Sequence, residues 1–226
     1  MKRMLFFILT VTFLILNLNA EIESAGLIVD AVGRLISQAQ QGEPVAQYQL
    51  GEAYYYGKGL PKDYKEAVKW FRMSAEKGVS AAQCALGKCY KNGEGVPQDY
   101  KEALKYFRLS AQTNNPEAQY YLGMMNYAGI GLPVNYKEGV KWFRQSAENG
   151  YVEAQANLGF CYYEGSCVPV DVSEAYFWLK LASLRCSDDK KTDYAKAAEN
   201  VKAELTPEQI DQIENRVRTW LKDHNE

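Results

Sequence analysis

The chain has one histidine, His224, close to the end of the sequence. Acid–base or triad chemistry built on imidazole needs that ring among convergent titratable groups, and a lone tail histidine excludes it. Cysteine is sparse: Cys84, Cys89, Cys161, Cys167 and Cys186 are all there is, and none sits in a Cys/His cluster with zinc-ligand spacing. No acidic loop has the calcium-binding pattern, and no Gly-rich phosphate loop follows a strand. The expectation is therefore no catalytic residue, no metal and no cofactor. Neither sign of charge dominates, with 26 Lys and Arg against 28 Asp and Glu. Without a basic field nothing draws nucleic acid to the chain. Low-complexity linkers are absent, so a second domain is not expected. At 47% hydrophobic and 24% charged residues, wholesale disorder is excluded as well.

One long apolar run exists, at the very start. Lys2 and Arg3 precede an uncharged stretch from Met4 to Leu18, closed by Asn17, Asn19 and Ala20. This is the pattern of a secretory signal peptide, residues 1–20, with cleavage after Ala20 and Ala25 as the fallback site. The alternative is an uncleaved anchor, but the stretch is shorter than the roughly 20 residues a spanning helix needs. No Cys follows it, so no lipoprotein attachment point exists. The expected mature chain starts at Glu21, keeps no stable membrane span, and is periplasmic or secreted.

What fills the rest is a repeat of 36 residues in four copies. Leu-Gly recurs at Leu50-Gly51, Leu86-Gly87, Leu122-Gly123 and Leu158-Gly159. Pro61, Pro97, Pro133 and Pro169 hold one turn position, and Gly57, Gly93, Gly129 and Gly165 another. Trp70, Tyr106, Trp142 and Trp178 share an aromatic position, and Ala46, Ala82, Ala118 and Ala154 a small one. Chance does not keep five positions in phase over four copies.

Each copy reads as helix, turn, helix. In the first copy a helix spans about 44–56, with Ala46, Leu50, Gly51 and Tyr54 on one face, and ends at Gly57. A second helix runs from Asp63 to about Lys77. Asp63 with Glu66 predicts a capping box, repeated as Asp99/Glu102, Asn135/Glu138 and Asp171/Glu174. Ala46, Gly51 and Ala67 predict close backbone approach, with the Trp70 ring filling the space between layers. The fold class expected is all-α: a right-handed alpha-alpha superhelix, or solenoid, of four repeats at about 42–77, 78–113, 114–149 and 150–186. Capping helices are expected at 21–41 and within 187–226. There Thr206-Pro207-Glu208-Gln209 starts a last helix striped by Ile210, Ile213, Val217 and Leu221.

The pattern resembles the Sel-1-like repeat family, a relative of tetratricopeptide repeats. Copy two carries it through Ala82, Leu86-Gly87, Tyr90, Gly93, Gly95-Val96-Pro97, Asp99, Ala103, Tyr106 and Ala111. The resemblance covers about residues 42–185. Two positions depart from it: Asn126 replaces a first-helix Tyr, and Cys167 replaces the second turn Gly. The resemblance implies an adaptor for membrane-associated complexes or a secreted factor that contacts other proteins.

Some cysteine-rich members of that family have been linked to β-lactam binding. Ser74-Ala75-Glu76-Lys77 and Ser187-Asp188-Asp189-Lys190 match a Ser-x-x-Lys motif. Yet Ser110 and Ser146 hold the Ser74 position without the Lys, and the partner motifs Ser-Asp-Asn and Lys-Thr-Gly are absent. The regular cysteine pair of such relatives is missing too. Cys161 and Cys167 form the one plausible local disulfide, against the alternative of five thiols.

Solenoids of this kind line their concave face with first helices. Subtracting the repeated positions leaves three columns: Gln49, Ala85, Tyr121, Asn157; Glu52, Lys88, Met124, Phe160; and Tyr56, Asn92, Ala128, Glu164. Spacings of three, four and seven put each trio on one helix face. Tyr121, Met124 and Phe160 are expected to form an apolar patch, flanked by Lys88, Glu52, Tyr56 and Asn157, that binds another protein. The alternative is that these side chains pack against neighbouring first helices. The functional expectation is a protein-interaction scaffold. Its rivals are a β-lactam- or cell-wall-acting enzyme and a structural subunit of an envelope complex.

Overall fold

A computed structural model of the chain describes residues 29–166, 168–187 and 189–224. Among them are eleven helices and no strand. Helix α1 covers residues 29–40. The others are α2 (Pro44–Tyr56), α3 (Tyr64–Glu76), α4 (Ser80–Asn92), α5 (Tyr100–Ala111), α6 (Pro116–Ala128), α7 (Tyr136–Glu148), α8 (Val152–Glu164), α9 (Val172–Arg185), α10 (Lys191–Lys202) and α11 (Pro207–Asp223). The chain divides into two compact units. One runs to Ala82 and includes Glu94–Val96; the other comprises Gln83–Gly93 and everything from Pro97 onward.

The helix ends follow from the repeated turn residues. Gly57, Gly129 and Gly165 stand at positive φ and close α2, α6 and α8, a conformation that costs glycine no Cβ clash. Asn114 does this at φ 59° where other copies have Gly78 and Gly150; asparagine is the next-best residue for the left-handed region. The second helices start on side-chain caps. Asp63 accepts from the Lys65 and Glu66 amides at 2.8 and 3.1 Å, and Asp99, Asn135 and Asp171 act alike.

The reciprocal half of the expected capping boxes does not form. Glu66, Glu102 and Glu138 pair instead with Lys69, Lys105 and Lys141 one turn on, and Glu174 with Arg216 at 2.7 Å. The N-cap amides are already spent: those of Asp63, Asp99, Asn135 and Asp171 donate to the Tyr54, Tyr90, Asn126 and Tyr162 carbonyls at 2.9, 2.9, 2.8 and 3.0 Å. A complete box stands at Thr206 and Gln209.

Within a repeat the two helices meet at the Leu-Gly pair. A Cβ on Gly51 would lie 2.5 Å from Phe71, one on Gly123 2.5 Å from Phe143, and one on Gly87 2.7 Å from Phe107. Only glycine lets a ring lie on the first-helix backbone. The repeated aromatic position stands elsewhere, with Trp70 packed against Ala39, Ala46 and Leu50. Phe71, Phe107 and Phe143, one residue after it, are fully buried, while Trp70, Tyr106 and Trp142 remain partly exposed. Burial of each phenylalanine contributes roughly 1.5–3 kcal/mol. In the fourth copy Leu179 takes the ring's place against Gly159.

The first unit's core gathers Ala39, Ala46 and Leu50 with Leu35, Ile36 and Trp70. So α1 packs where a preceding second helix would. In the second unit α9 is buried on more than one face, from Ala175 through Leu179 and at Leu181 and Ala182. Its outer side is covered by α10 and α11 through Ala198, Val201, Ile213 and Val217.

Buried polar side chains tie the layers together. Ser74 Oγ donates to the Pro44 carbonyl at 2.7 Å and Ser146 Oγ to that of Pro116 at 2.6 Å. A glutamine column, Gln47, Gln83, Gln119 and Gln155, holds one further repeat position. Gln47 and Gln155 each donate at 3.2 Å to a carbonyl at the preceding helix, Ala39 and Ala147. The Gln119 carbonyl oxygen accepts from Asn149 at 2.9 Å and that of Gln155 from Arg185 at 3.3 Å.

Candidate functional site

The first helices of the second unit, α4 from Gln83 on, α6 and α8, carry most of the columns singled out by sequence. They touch through those columns. Lys88 Nζ on α4 pairs with Glu117 Oε1 on α6 at 2.7 Å, and Asn157 Nδ2 on α8 donates to Met124 Sδ on α6 at 3.5 Å. Tyr121 is half-buried and stacked on Phe107 with centroids 4.9 Å apart. Met124 is half-buried as well. Phe160 is 36% exposed.

These residues line two adjoining hollows rather than one flat patch. The first, of about 260 Å³, is walled by Tyr120, Tyr121, Met124, Tyr151 and the charged Lys91, Glu153 and Lys190. The second, of about 360 Å³, is walled by Tyr120, Met124, Tyr127, Asn157, Phe160 and Glu164. Tyr120 and Met124 belong to both, so the hollows adjoin across these two side chains, and together they are termed the groove. Tyr121 and Phe160 stand in different hollows, joined through Met124. Lys88 lines neither. Glu52 and Tyr56 lie in the other unit; there Tyr56 is exposed, edge-on to Tyr55 at 4.9 Å, and Glu52 is half-buried.

Tyr120 and Tyr151 were not among the residues read from sequence. Their rings lie 5.1 Å apart, joining α6 to the residue that starts α8. The signal was available: Tyr151 stands where other copies have Glu43, Val79 and Asn115, a change as marked as any in the three columns. The groove holds its phenols protonated. Burial pushes the Tyr121 hydroxyl up to about 12. Burial and then the Glu153 carboxylate raise Tyr151 and Tyr120, the latter opposed by a hydrogen bond with Asn157. At neutral pH all three are neutral O–H donors. Lys91 Nζ sits 5.2 Å over the Tyr121 ring, and Lys190 Nζ lies 3.9 Å from Glu153 Oε1.

The Ser-x-x-Lys residues have other work. Ser74 is fully buried with its hydroxyl spent on Pro44, and Lys77 Nζ donates to the Gly42 carbonyl. A serine without access to solvent cannot meet a substrate. Asp188 of the second motif lies outside the described residues. So does Cys167, and with it the Cys161–Cys167 bridge; Cys161 itself is buried, as are Cys84, Cys89 and Cys186. Among the described residues no three His, Cys, Asp or Glu side chains converge as a metal site would need, and no helix is long and apolar enough to cross a membrane.

The Sel1 repeat family model matches at residues 44–79, 80–115, 116–151 and 152–185. Each match opens at the first residue of α2, α4, α6 or α8. The chain belongs to the Sel1 repeat family. Sel1 repeat proteins generally mediate protein–protein interaction, and the family is generally non-enzymatic. Among solved structures, a Sel1 repeat protein from Oxalobacter formigenes is 31% identical, with a TM-score of 0.64 over 74% of this chain and 48% of its own. A protective antigen of uropathogenic Escherichia coli strains, displaying an SLR fold, is 26% identical, with a TM-score of 0.55 over 83% of this chain and 47% of its own. The chain thus spans about half the length of these relatives. No curated protein gave a significant match.

Proposed function

We propose that this Sel1 repeat chain is an exported interaction scaffold, acting in the periplasm or outside the cell, that binds another protein along the groove of α6 and α8. The observation that carries this reading is the groove itself. Met124, Tyr151, Asn157 and Phe160 in its walls stand at positions where copies three and four depart from the others, and the walls join aromatic, thioether and amide groups across neighbouring helices. Apolar hollows with a polar rim are the anatomy of protein-binding surfaces. Export is supported by the basic start at Lys2 and Arg3 and the apolar stretch after it. N-terminal sequencing of the protein from the envelope fraction should begin at Glu21; an intact Met1 in the integral membrane fraction overturns the signal-peptide reading.

The test of the groove is crosslinked capture from the envelope fraction, comparing the natural chain with the double variant Met124→Ala, Phe160→Ala. Capture should weaken at least about tenfold, about 1.4 kcal/mol, while the helical circular dichroism is retained. Undiminished capture by the folded variant would move the partner to another surface.

A further inference from the structure

The second hollow of the groove combines aromatic walls with a single charge, and that charge is a carboxylate. Tyr120, Met124 and Tyr127 stand at spacings of four and three on α6, and Asn157, Phe160 and Glu164 at spacings of three and four on α8. Each trio thus turns one helix face to the hollow. Phe143 of α7 lines it too; its buried ring lies 6.0 Å from that of Tyr120 and 5.9 Å from that of Tyr127. Asn157 is spent within the hollow, on Met124 Sδ and the Tyr120 hydroxyl. Glu164 is exposed and takes the Ser166 hydroxyl on Oε2 at 3.2 Å; among the described residues no cation pairs with it. The groove's lysines, Lys91 and Lys190, line the other hollow, with Glu153. Copy four alone has this arrangement: the Glu164 position holds Tyr56, Asn92 and Ala128 in the other copies, and the Phe160 position Glu52, Lys88 and Met124.

Resting on the reading of this groove as a protein-docking site, we infer that the second hollow takes a basic side chain of the partner, arginine in preference to lysine. The hollow, about 360 Å³, has room for one long side chain. The methylene stem lies along Met124 and the rings, as the apolar part of a long cationic side chain does on other apolar surfaces. The faces of Tyr127 and Phe160 attract the cation through their negative π clouds. Its head reaches Glu164, where a guanidinium donates charge-assisted hydrogen bonds to the carboxylate. Arginine ranks above lysine because its planar, weakly hydrated head both stacks on rings and forks onto a carboxylate. A neutral side chain of the same shape keeps the apolar contact and loses the charge. An acidic one meets Glu164 with like charge and is disfavoured.

The experiment uses short, end-capped, fluorescein-labelled peptides on the full chain. They share one uncharged frame with a Leu-Leu pair and differ at a single residue: arginine, lysine, citrulline (the neutral counterpart of arginine) or glutamate. Fluorescence anisotropy should rank them in that order. The arginine peptide should bind at least about fivefold tighter than the citrulline peptide at low salt, an advantage that shrinks as salt rises. Glu164→Gln, a change at an exposed side chain, should remove most of the advantage, whereas Glu153→Gln in the other hollow should leave it. Phe160→Leu, which keeps an apolar wall and removes a ring face, should narrow it. An advantage that survives Glu164→Gln overturns the assignment to this hollow. Equal binding of the arginine and citrulline peptides overturns the basic occupant while leaving the groove reading intact, provided Met124→Ala, Phe160→Ala still weakens both. Binding indifferent to that double variant overturns the groove reading itself. No binding of the arginine peptide at millimolar concentration, or tighter binding of free tetramethylammonium than of that peptide, overturns the inference outright.

Discussion

Exchanging Lys77 for arginine should stabilise the protein, because the first repeat leaves a buried acceptor without a donor. Residues 77, 113, 149 and 185 hold one repeat position, as Lys77, Thr113, Asn149 and Arg185. In the fourth copy Arg185 Nη1 serves two acceptors, the Gly150 carbonyl at 2.5 Å and Gln155 Oε1 at 3.3 Å. In the third, Asn149 serves Gln119. Lys77 reaches the Gly42 carbonyl alone, and Gln47 Oε1, wholly buried, has no hydrogen-bond partner. A buried unsatisfied polar group costs roughly 1–3 kcal/mol, and a hydrogen bond made to it returns about 0.5–1.5. Lys77→Arg keeps the Gly42 contact and brings a second donor arm to Gln47. The expected gain is about 1 kcal/mol, or roughly 2–4 °C in Tm for a chain of this size. The mirror exchange, Arg185→Lys, should cost at least as much, since that guanidinium also lies 4.9 Å over the Trp220 ring. Thermal and denaturant melts of both variants decide it. An unchanged or lower Tm for Lys77→Arg, with no loss for Arg185→Lys, would refute the claim that the Gln47 acceptor is unmet.

Other substitutions follow from the same geometry. Gly33 has open space around its Cβ direction, so Gly33→Ala should stabilise α1 by about 0.5–1 kcal/mol, whereas Gly123→Ala drives a methyl into the buried Phe143 ring and should cost about 1–3 kcal/mol; denaturant midpoints check both signs. Asp99→Ala removes the acceptor of two amides and should lower stability by about 1 kcal/mol in the same assay. The Tyr121 hydroxyl is pushed above its usual value of 10, so the folded state prefers its neutral form. That contribution is complete below pH 10 and is lost as pH rises toward about 12. Tyr121→Phe should therefore flatten the alkaline loss of stability between these values, read by melts across that range.

Repeat number, helix order and cap positions were legible in the sequence because each rests on residues one period apart, and period survives whatever the partners are. What escaped needed contact information. The Trp70 ring was expected to fill the space between layers, and it packs with Ala39, Ala46 and Leu50; the ring that lies on Gly51 is that of the next residue, Phe71, which period alone did not single out. The glutamine column is as regular as the Leu-Gly pair. A mid-helix glutamine reads as a solvated residue until its partner carbonyls, contributed by the preceding helix, are in view. The groove was half legible. Met124, Asn157 and Phe160 came from columns on one helix face, whereas Tyr151 stands at a helix start and Tyr120 one position round the helix. Tyr121 was named as a surface aromatic, and its ring stacks on Phe107, so its truncation would cost stability as well as contact.

The central claim, that a protein partner lies along α6 and α8, is tested most directly by a photo-crosslinking amino acid placed at Phe160, with the same group at Leu109 on the second helix α5 as comparison. The two sites are equally exposed, 36% and 37%, so access to solvent does not bias the result. Irradiation of intact cells should give a discrete adduct of higher mass from position 160 and none from position 109. An adduct from position 109 with none from position 160 would contradict the assignment of the binding face.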